Sequence, residues 1–427
     1  MNKPVSTGSL WRAIGPGILF AGAAVGVSHL VQSTRAGAAY GLLLLGVVVV
    51  ANLVKYPAFR FGPHYAAATG DSLLVGYRRR GRWALGLYGV LTLGTMFTVQ
   101  AAVVLVTAAL LKRLGGWVPE EVSLLQVSIA LTLVCASILA AGRYSWLDKI
   151  GKVVVSVLAL CTLAATIAVV PELDWGSTMP SQDQEFAMRD WLFVAALIGW
   201  MPSAIDVSVW QSLWTVAKAK DTGHRPSLRE SMVDFHAGYV GTAILAICFL
   251  MLGAGAVHGQ GAELQLRATE FPAQFVDLYA HTLGTWSRPL ISVAAVLVMF
   301  STSLTVIDGF PRALQELRRV WNTGDEGSPR GEVAADRTVY WGALVVLGMG
   351  SLLILGVAVS SLVTLIDLAT VLSFLTAPLL SWLNHRSVTG DEVSADSRPQ
   401  AWLVRASWAG IAVQASFALA YLALRFG

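Results

Sequence analysis

The chain has 427 residues, of which 55% are hydrophobic and only 13% are charged, and its formal net charge is +4. Soluble domains carry about a quarter charged residues, so this composition and a mean hydropathy of +0.63 exclude an ordinary soluble protein. Apolar segments long enough to cross roughly 30 Å of hydrocarbon as helices recur along the whole sequence. The sequence therefore predicts an all-α polytopic membrane protein with a single transmembrane domain, 1–427.

Eleven transmembrane helices are predicted, and the first and sixth are broken. In chain order they cover 13–41, 42–66, 83–111, 121–142, 146–170, 187–217, 231–256, 286–312, 338–358, 360–384 and 400–425. The long segment 257–285 is expected to be an outer connection, and the polar segments 321–337 and 387–399 are expected to be mobile cytoplasmic linkers. Most of the 30 Lys and Arg residues lie between spans on the side of the N-terminus. The positive-inside rule then places the N-terminus in the cytoplasm and the C-terminus outside the cytoplasmic (inner) membrane.

The two broken spans are the main functional signal in the sequence. In the first span, Gly26, Ser28 and His29 stand where a lipid-facing helix would carry large apolar residues. In the sixth span, Pro202 removes a backbone amide and clashes with the preceding turn. Free backbone groups at membrane depth are tolerated only where protein or a water-filled cavity receives them, and paired breaks are typical of inverted-repeat transporters. The predicted units are a first repeat, 13–170, a second repeat, 187–384, and an additional helix, 400–425.

Motifs at the ends of both broken spans resemble those of the Nramp divalent-metal transporters. Gly15-Pro16-Gly17 and the sequence AGAAYG at 36–41 resemble helix one of that family, and Met201-Pro202 resembles part of its helix six. The similarity continues through the segments 51–53 and 143–148, so it covers most of the chain. It implies a LeuT-type fold with a 5+5 inverted repeat and transport by alternating access.

The centre of the first span departs from that family. Between the matching ends, the family's Asp-Pro-Gly-Asn metal motif falls on residues 26–29, which are Gly-Val-Ser-His. Ser203 replaces the histidine that follows Met-Pro, and the acidic residue of the family's proton route falls on Gln100. Because a dication without a countercharge is strongly penalised in a low dielectric, no metal site is expected. Asp206 could approach the break, however, which leaves a divalent cation, Mn²⁺ or Mg²⁺, as the alternative substrate.

The expected substrate is a small polar organic solute, with a neutral sugar such as glucose favoured. The indole of Trp200 can stack on a sugar ring and bond a hydroxyl, and neutral polar side chains discriminate hydroxyls and amides. The predicted substrate-binding residues are Gly26, Ser28, His29, Gln32, Gln100, Trp200, Met201, Ser203 and Asp206. Protons are the expected coupling ion, and sodium is the alternative because hydroxyl side chains recur on the eighth span.

Three further charged residues, Lys55, Asp308 and Asp367, lie inside predicted spans. Ionisable groups within a membrane are costly and default to functional hypotheses. We expect Lys55 to form a coupling or structural ion pair, with the two aspartates as candidate partners. No catalytic residue, cofactor or nucleic-acid partner is expected, and the lipid bilayer surrounds the chain. A non-transporting membrane sensor is the third hypothesis.

Overall fold

A computed structural model describes most of the chain in eight ranges. They are 15–114, 116, 118–142, 144–178, 186–258, 270–323, 337–358 and 362–426. Arg143, which the family resemblance includes, lies outside the described residues, and so does most of the segment 321–337.

The first half of the chain contains the following helices. They are α1 (Pro16–Ala24), a π-helix (Ser28–Ser33), α2 (Thr34–Tyr40), α3 (Leu45–Thr69), α4 (Leu73–Arg79), α5 (Arg82–Leu114), α6 (Leu124–Ala140) and α7 (Tyr144–Val169). Two short 3-10 helices follow, Val170–Glu172 and Trp175–Thr178.

The second half continues the same all-helical pattern. Its helices are α8 (Met188–Gly199), α9 (Asp206–Thr222), α10 (Leu228–Ala256), α11 (Phe271–Leu283), α12 (Ser287–Thr323), α13 (Arg337–Ala358), α14 (Leu362–Val388) and α15 (Ala401–Phe426). A 3-10 helix, Ala395–Ser397, precedes the last of them.

Eight helices within the described ranges are long and apolar enough to cross a membrane, and the bent pair formed by α1 and residues Ser28–Tyr40 makes a ninth span. The apolar helix α6 has 17 residues. The two halves of the sixth predicted span, α8 and α9, have 12 and 17 residues and are separated by six. Every predicted span therefore corresponds to a helix or a pair of half-helices.

Both helix breaks occur where the sequence predicts them. The first span bends by 46° between α1 and the π-helix, at residues 25–27. A π-helical turn is rare and is found mostly at functional sites. The second break spans residues 200–205 and contains Pro202, as expected from the loss of its backbone amide.

Helix α10 supports the broken first span along its whole length. The Asp234 carboxylate accepts hydrogen bonds from the backbone amides of Gly15 and Gly17, at 3.0 and 2.6 Å. An anion at a helix N-terminus satisfies free amides and complements the helix dipole. At the other end, Gly37 and Gly253 let the two helices approach closely, because a Cβ on Gly37 would lie 1.8 Å from the Leu250 carbonyl oxygen.

Two connecting segments differ from the sequence expectation. The outer connection 257–285 contains the helix α11, whose buried face includes Phe271 and Phe275. The segment 387–399 is folded, since Glu392 pairs with Arg80 at 2.5 Å and the Ser397 carbonyl bonds His64 at 2.7 Å. These contacts hold it against α3 and α4, so the prediction of a mobile linker there is wrong.

The eighth span is also longer than predicted. Helix α12 continues to Thr323, beyond the expected end at 312. Arg312 pairs with Asp308, and Arg319 pairs with Glu316, one turn apart in each case. Such pairs stabilise the polar extension of a helix, and local hydropathy does not reveal them.

The close contact at Gly37 yields a stability prediction. Gly37→Ala should lower the free energy of unfolding by about 1–3 kcal/mol or more, because the new methyl group overlaps the Leu250 carbonyl. The thermal unfolding temperature of the purified protein in detergent measures this effect. Gly241→Ala is the matched control on α10, since a Cβ there meets no atom within 4 Å. Equal unfolding temperatures for the two variants would contradict the close packing.

Candidate functional site

The two helix breaks meet at one small cavity. Its volume is about 40 Å³, measured as the space open to the centres of water molecules. This is enough for about three waters, since one water needs roughly 10–15 Å³ on this measure. The residues that line it are Ala23, Val27, Ser28, Val99, Val103, Trp200, Ser203, Ala204, Asp206, Val207, Trp210, Thr302, Val306 and Phe310.

Asp206 is the charged residue of this lining. It is the first residue of α9, and only 3% of its surface is exposed. Its Oδ1 atom is buried and accepts no hydrogen bond. A buried carboxylate oxygen without a partner is costly in a low-dielectric region, so this atom is the group in the cavity that most needs a cation or a proton.

Three other predicted residues also line the cavity. Ser28 lies on the π-helix, where its hydroxyl is 2.6 Å from the Ala24 carbonyl and 2.7 Å from His29 Nδ1. Ser203 lies in the second break. Trp200 directly follows α8, and its indole N–H donates to the Ser373 hydroxyl at 2.8 Å. The cavity thus combines one carboxylate with hydroxyl groups and apolar walls.

His29 does not face this cavity. It is completely buried, and its Nε2 lies 2.9 Å from the Thr242 carbonyl of α10. The imidazole also meets the ring of Phe249 edge-on, with centroids 6.4 Å apart. With the proton on Nε2, the ring donates to the Thr242 carbonyl, and Nδ1 lies beside the Ser28 hydroxyl, whose single proton is shared between this nitrogen and the Ala24 carbonyl. His29 thus links the first span to α10, and its role in substrate binding stays a prediction.

The remaining predicted residues lie away from the cavity lining. Gln32 donates to Asp367 at 3.3 Å. Gln100 is buried, and neither of its amide atoms has a hydrogen-bond partner. Met201 is fully buried in the core. Gly26 forms the bend, and a Cβ there would lie 2.8 Å from the side chain of Thr302. None of these four lies in the lining of this cavity, and their roles in substrate binding stay predictions.

The three charged residues of the spans are separated in space. Lys55 donates to the Ile198 and Gly199 carbonyls at 2.6 and 2.8 Å. Asp308 accepts from Arg312 at 2.5 Å and from Tyr340 at 2.6 Å. The structure therefore corrects the expected Lys55–aspartate ion pair: the lysine bonds backbone carbonyls.

Asp367 belongs to a contact at the far end of the first span. Arg35 on α2 donates to its carboxylate at 2.8 Å, and the guanidinium lies 4.4 Å from the ring centre of Phe193 on α8. This contact joins α2, α8 and α14. Arg35 therefore links three helices.

The donor set favours a hard cation over a soft one. Within the described ranges, no group of three or more His, Cys, Asp or Glu residues is arranged to hold a metal ion. A cation in the cavity would instead use the Asp206 carboxylate, hydroxyl oxygens and water. Oxygen ligands of this kind suit Mg²⁺ and Mn²⁺, and Mg²⁺ typically keeps several waters beside one or two carboxylates.

The sequence assigns no capping role to Asp234, and it indicates Thr302 only as one of the hydroxyl side chains that make sodium the alternative coupling ion. Thr302 on α12 lines the cavity and donates to the Gly22 carbonyl of α1 at 2.9 Å. Asp234 caps the start of α1 from α10. Both are polar residues at membrane depth, which is the signal that could have found them.

Two comparisons with known proteins each cover nearly the whole chain. The family model described as "Natural resistance-associated macrophage protein-like" (Nramp) matches residues 17–423. The uncharacterized protein PM0681 of Pasteurella multocida (strain Pm70) is 34% identical over 427 residues, which covers 98% of this chain and 94% of that protein.

Solved structures share the fold at low sequence identity. A mutant of the Eremococcus coleocola manganese transporter superposes with a TM-score of 0.68 at 15% identity, covering 100% of this chain and 90% of that one. MhsT in complex with L-phenylalanine gives 0.60 at 13%, covering 96% and 98%. Mhp1, a nucleobase-cation-symport-1 family transporter, gives 0.54 at 15%, covering 99% and 93%. These neighbours confirm the LeuT-type fold that the sequence motifs implied.

The position of His29 predicts a stability effect. His29→Ala should lower the free energy of unfolding by about 2–5 kcal/mol, because it leaves a core cavity and removes both hydrogen bonds of the ring. Thermal unfolding in detergent checks this. His281→Ala on α11 is the control, since that side chain is 49% exposed and should change little. An unchanged unfolding temperature for His29→Ala would show that the ring is not a structural link.

Proposed function

The chain belongs to the Nramp family, and from this premise we propose that it carries a divalent metal cation, Mn²⁺ or Mg²⁺, through the cavity between its broken helices. Family and fold are those of secondary transporters, and the protein is an integral, multi-pass membrane protein. The identity of the substrate as a metal cation is the proposed part of this function. It replaces the sugar hypothesis, for reasons that lie in the cavity itself.

The unpartnered Oδ1 of Asp206 carries this proposal. The other two aspartates of the spans considered above, Asp308 and Asp367, are bonded to arginines, whereas Asp206 presents a free oxygen to the cavity. A buried carboxylate is stabilised when a cation or a proton neutralises it. The negative charge therefore favours a cationic substrate over a neutral one.

The size of the cavity supports a small ion. A space of about 40 Å³ accommodates a few waters or a partly hydrated ion. Ser28, Ser203 and Thr302 surround it with hydroxyl oxygens, which can bond an ion directly or through water. One carboxylate neutralises only part of a dication's charge, so retained water is an essential part of the proposed complex.

The sugar hypothesis has little support from the same residues. It relies on the indole N–H of Trp200, which is already bonded to Ser373, and on His29, which is bonded to α10. Gln32 and Gln100 lie outside the lining. A sugar ring would need these groups to converge on a larger space.

We further propose that protons drive transport and that Asp206 binds a proton when no metal is present. The buried Oδ1 of Asp206, which accepts no hydrogen bond, supports the second part of this proposal. The proposed location is the cytoplasmic (inner) membrane with a cytoplasmic N-terminus, which rests on the positive-inside distribution.

Metal uptake into proteoliposomes tests the substrate. We expect saturable uptake of Mn²⁺ or Mg²⁺ by the wild type, followed with a metal-sensitive dye, and at least about a hundredfold loss in Asp206→Asn, because an unpaired charge is worth several kcal/mol. Asp308→Asn is the matched control: its carboxylate is also buried, but it bonds Arg312 and Tyr340.

Thermal unfolding in detergent must show that both variants are folded before uptake is compared. Equal uptake by Asp206→Asn and the wild type would contradict the proposed site. Glucose counterflow in the absence of metal uptake would contradict the metal substrate and support the sugar hypothesis.

The coupling ion can be separated from the substrate in the same vesicles. Metal uptake should acidify the vesicle lumen, recorded with an enclosed pH dye, and an inward proton gradient should accelerate it. Replacing Na⁺ by a large organic cation should leave the rate unchanged. A strict dependence on Na⁺ would contradict proton coupling while preserving the metal substrate.

A further inference from the structure

Arg60 on α3 is a cation for which the described part of the chain provides no anion. Its guanidinium donates a hydrogen bond to the Tyr56 hydroxyl at 3.1 Å, and its Nε is buried without a partner. Among the described residues, no carboxylate forms a salt bridge with it. An arginine side chain has five N–H donors and a permanent positive charge. Most of these donors, and the whole charge, are therefore left for a group outside the described chain.

An aromatic neighbour indicates how deep Arg60 lies in the membrane. The guanidinium carbon is 5.9 Å from the ring centre of Trp402, the second residue of α15, which is 52% exposed. Trp is enriched at the boundary between lipid and water, and the start of a spanning helix lies at that level. The positive-inside distribution assigns this boundary to the cytoplasmic side, where the leaflet carries anionic lipids. Arg60 is thus level with lipid headgroups.

The helices α10 and α15 pack on different flanks of α3 around this arginine. The Tyr56 hydroxyl, which accepts from Arg60, lies 2.7 Å from Nε2 of His236 on α10. Phe61 follows Tyr56 by five residues, or about 140° around the helix, and packs with Leu403 of α15. A furrow therefore runs along α3 between the two neighbouring helices, with Arg60 at its cytoplasmic end.

The rest of the furrow is apolar and faces the lipid. Leu53 and Val49 continue the same face of α3 at helical spacing, and they are 67% and 38% exposed. Arg60 and Val49 are eleven residues apart, which is about 16 Å along a helix. One leaflet supplies about half of the roughly 30 Å of hydrocarbon in a bilayer. The furrow therefore matches one lipid molecule, with its headgroup at Arg60 and an acyl chain along Leu53 and Val49.

The charge around Arg60 favours an anionic lipid over a zwitterionic one. Arg405 lies one turn along α15 from Trp402, and Arg229 lies in the first turn of α10 on the same face as His236. Both arginines are exposed, and neither has a partner among the described residues. A zwitterionic headgroup would bring an additional cation to this positive region, whereas an anionic headgroup would not.

We propose that this furrow is a binding site for an anionic phospholipid of the cytoplasmic leaflet. The guanidinium of Arg60 pairs with the lipid phosphate, for which its planar fork of donors is well suited. Trp402 packs beside the headgroup, and Tyr56 positions the arginine through its hydroxyl. The site lies on the lipid-facing surface of the bundle, so it is independent of the central cavity and of the transported substrate.

Native mass spectrometry of the full chain in detergent tests the site. The protein is titrated with phosphatidylglycerol or with phosphatidylcholine of the same acyl chains. We expect the wild type to bind the first phosphatidylglycerol at least about tenfold more tightly, and Arg60→Gln to lose this preference, because charge-assisted hydrogen bonds to the phosphate are removed. Arg319→Gln is the matched control: it makes the same change of charge on α12, but Arg319 is already paired with Glu316.

Two further measurements separate the possible outcomes. If Arg60→Gln does not fold, Arg60→Lys keeps the charge, lacks the planar fork, and should show a reduced preference. Glycerol phosphate, which has no acyl chain, should not raise the thermal unfolding temperature of the wild type. The inference is overturned if the wild type binds the two lipids equally, or if the folded Arg60 variant keeps the full preference. Stabilisation by glycerol phosphate that requires Arg60 would overturn the lipid assignment in favour of a free phosphate.

Discussion

The contact between α10 and the broken first span is the constraint on which the rest of the site depends. A broken helix has free amides and carbonyls at membrane depth, and these must be satisfied inside the protein. Asp234 satisfies the amides at the start of α1, and the Thr242 carbonyl receives His29 near the bend. Gly37 and Gly253 allow the close approach beyond it. Because α10 holds both halves, the bend can persist and open a cavity.

The charged residues of the spans divide into those that fix the structure and one that is available for a ligand. Arg35 and Asp367 join three helices, Arg312 and Asp308 stabilise α12, and Lys55 binds the end of α8. Each pair offsets the cost of removing charge from water. Within the described residues of the cavity lining, Asp206 retains a free oxygen. In the proposed function, the transported cation supplies the missing partner of this oxygen.

The family relationship and the site chemistry fit together only in part. The fold and the two breaks are those of the Nramp family, but the motif of the first span is replaced by small, polar and imidazole groups. In compensation, the carboxylate of the cavity comes from the start of α9 and the neighbouring oxygens come from hydroxyl groups. Carboxylate and hydroxyl oxygens are the ligand types that the proposed hydrated cation would use.

Some features of the site could be predicted because they follow from local chemistry. Pro202 opens a helix wherever it occurs in a span, and the polar stretch at Ser28 interrupts an apolar helix in any context. The direction of a side chain is a different matter. Ser28 and His29 are adjacent in sequence, yet the π-helical turn directs the first to the cavity and the second to Thr242. The spacing of apolar residues in the sequence does not predict such a π-helical turn.

The sequence by itself determined the membrane class, the spans and the two breaks, because hydropathy and proline act locally along the chain. The tertiary structure alone decided which polar groups share a cavity and which serve as links between helices. Lys55 illustrates the reason: its partners are two backbone carbonyls more than a hundred residues away. Backbone carbonyls are common to every residue, so their availability depends on where a helix ends and what packs against it.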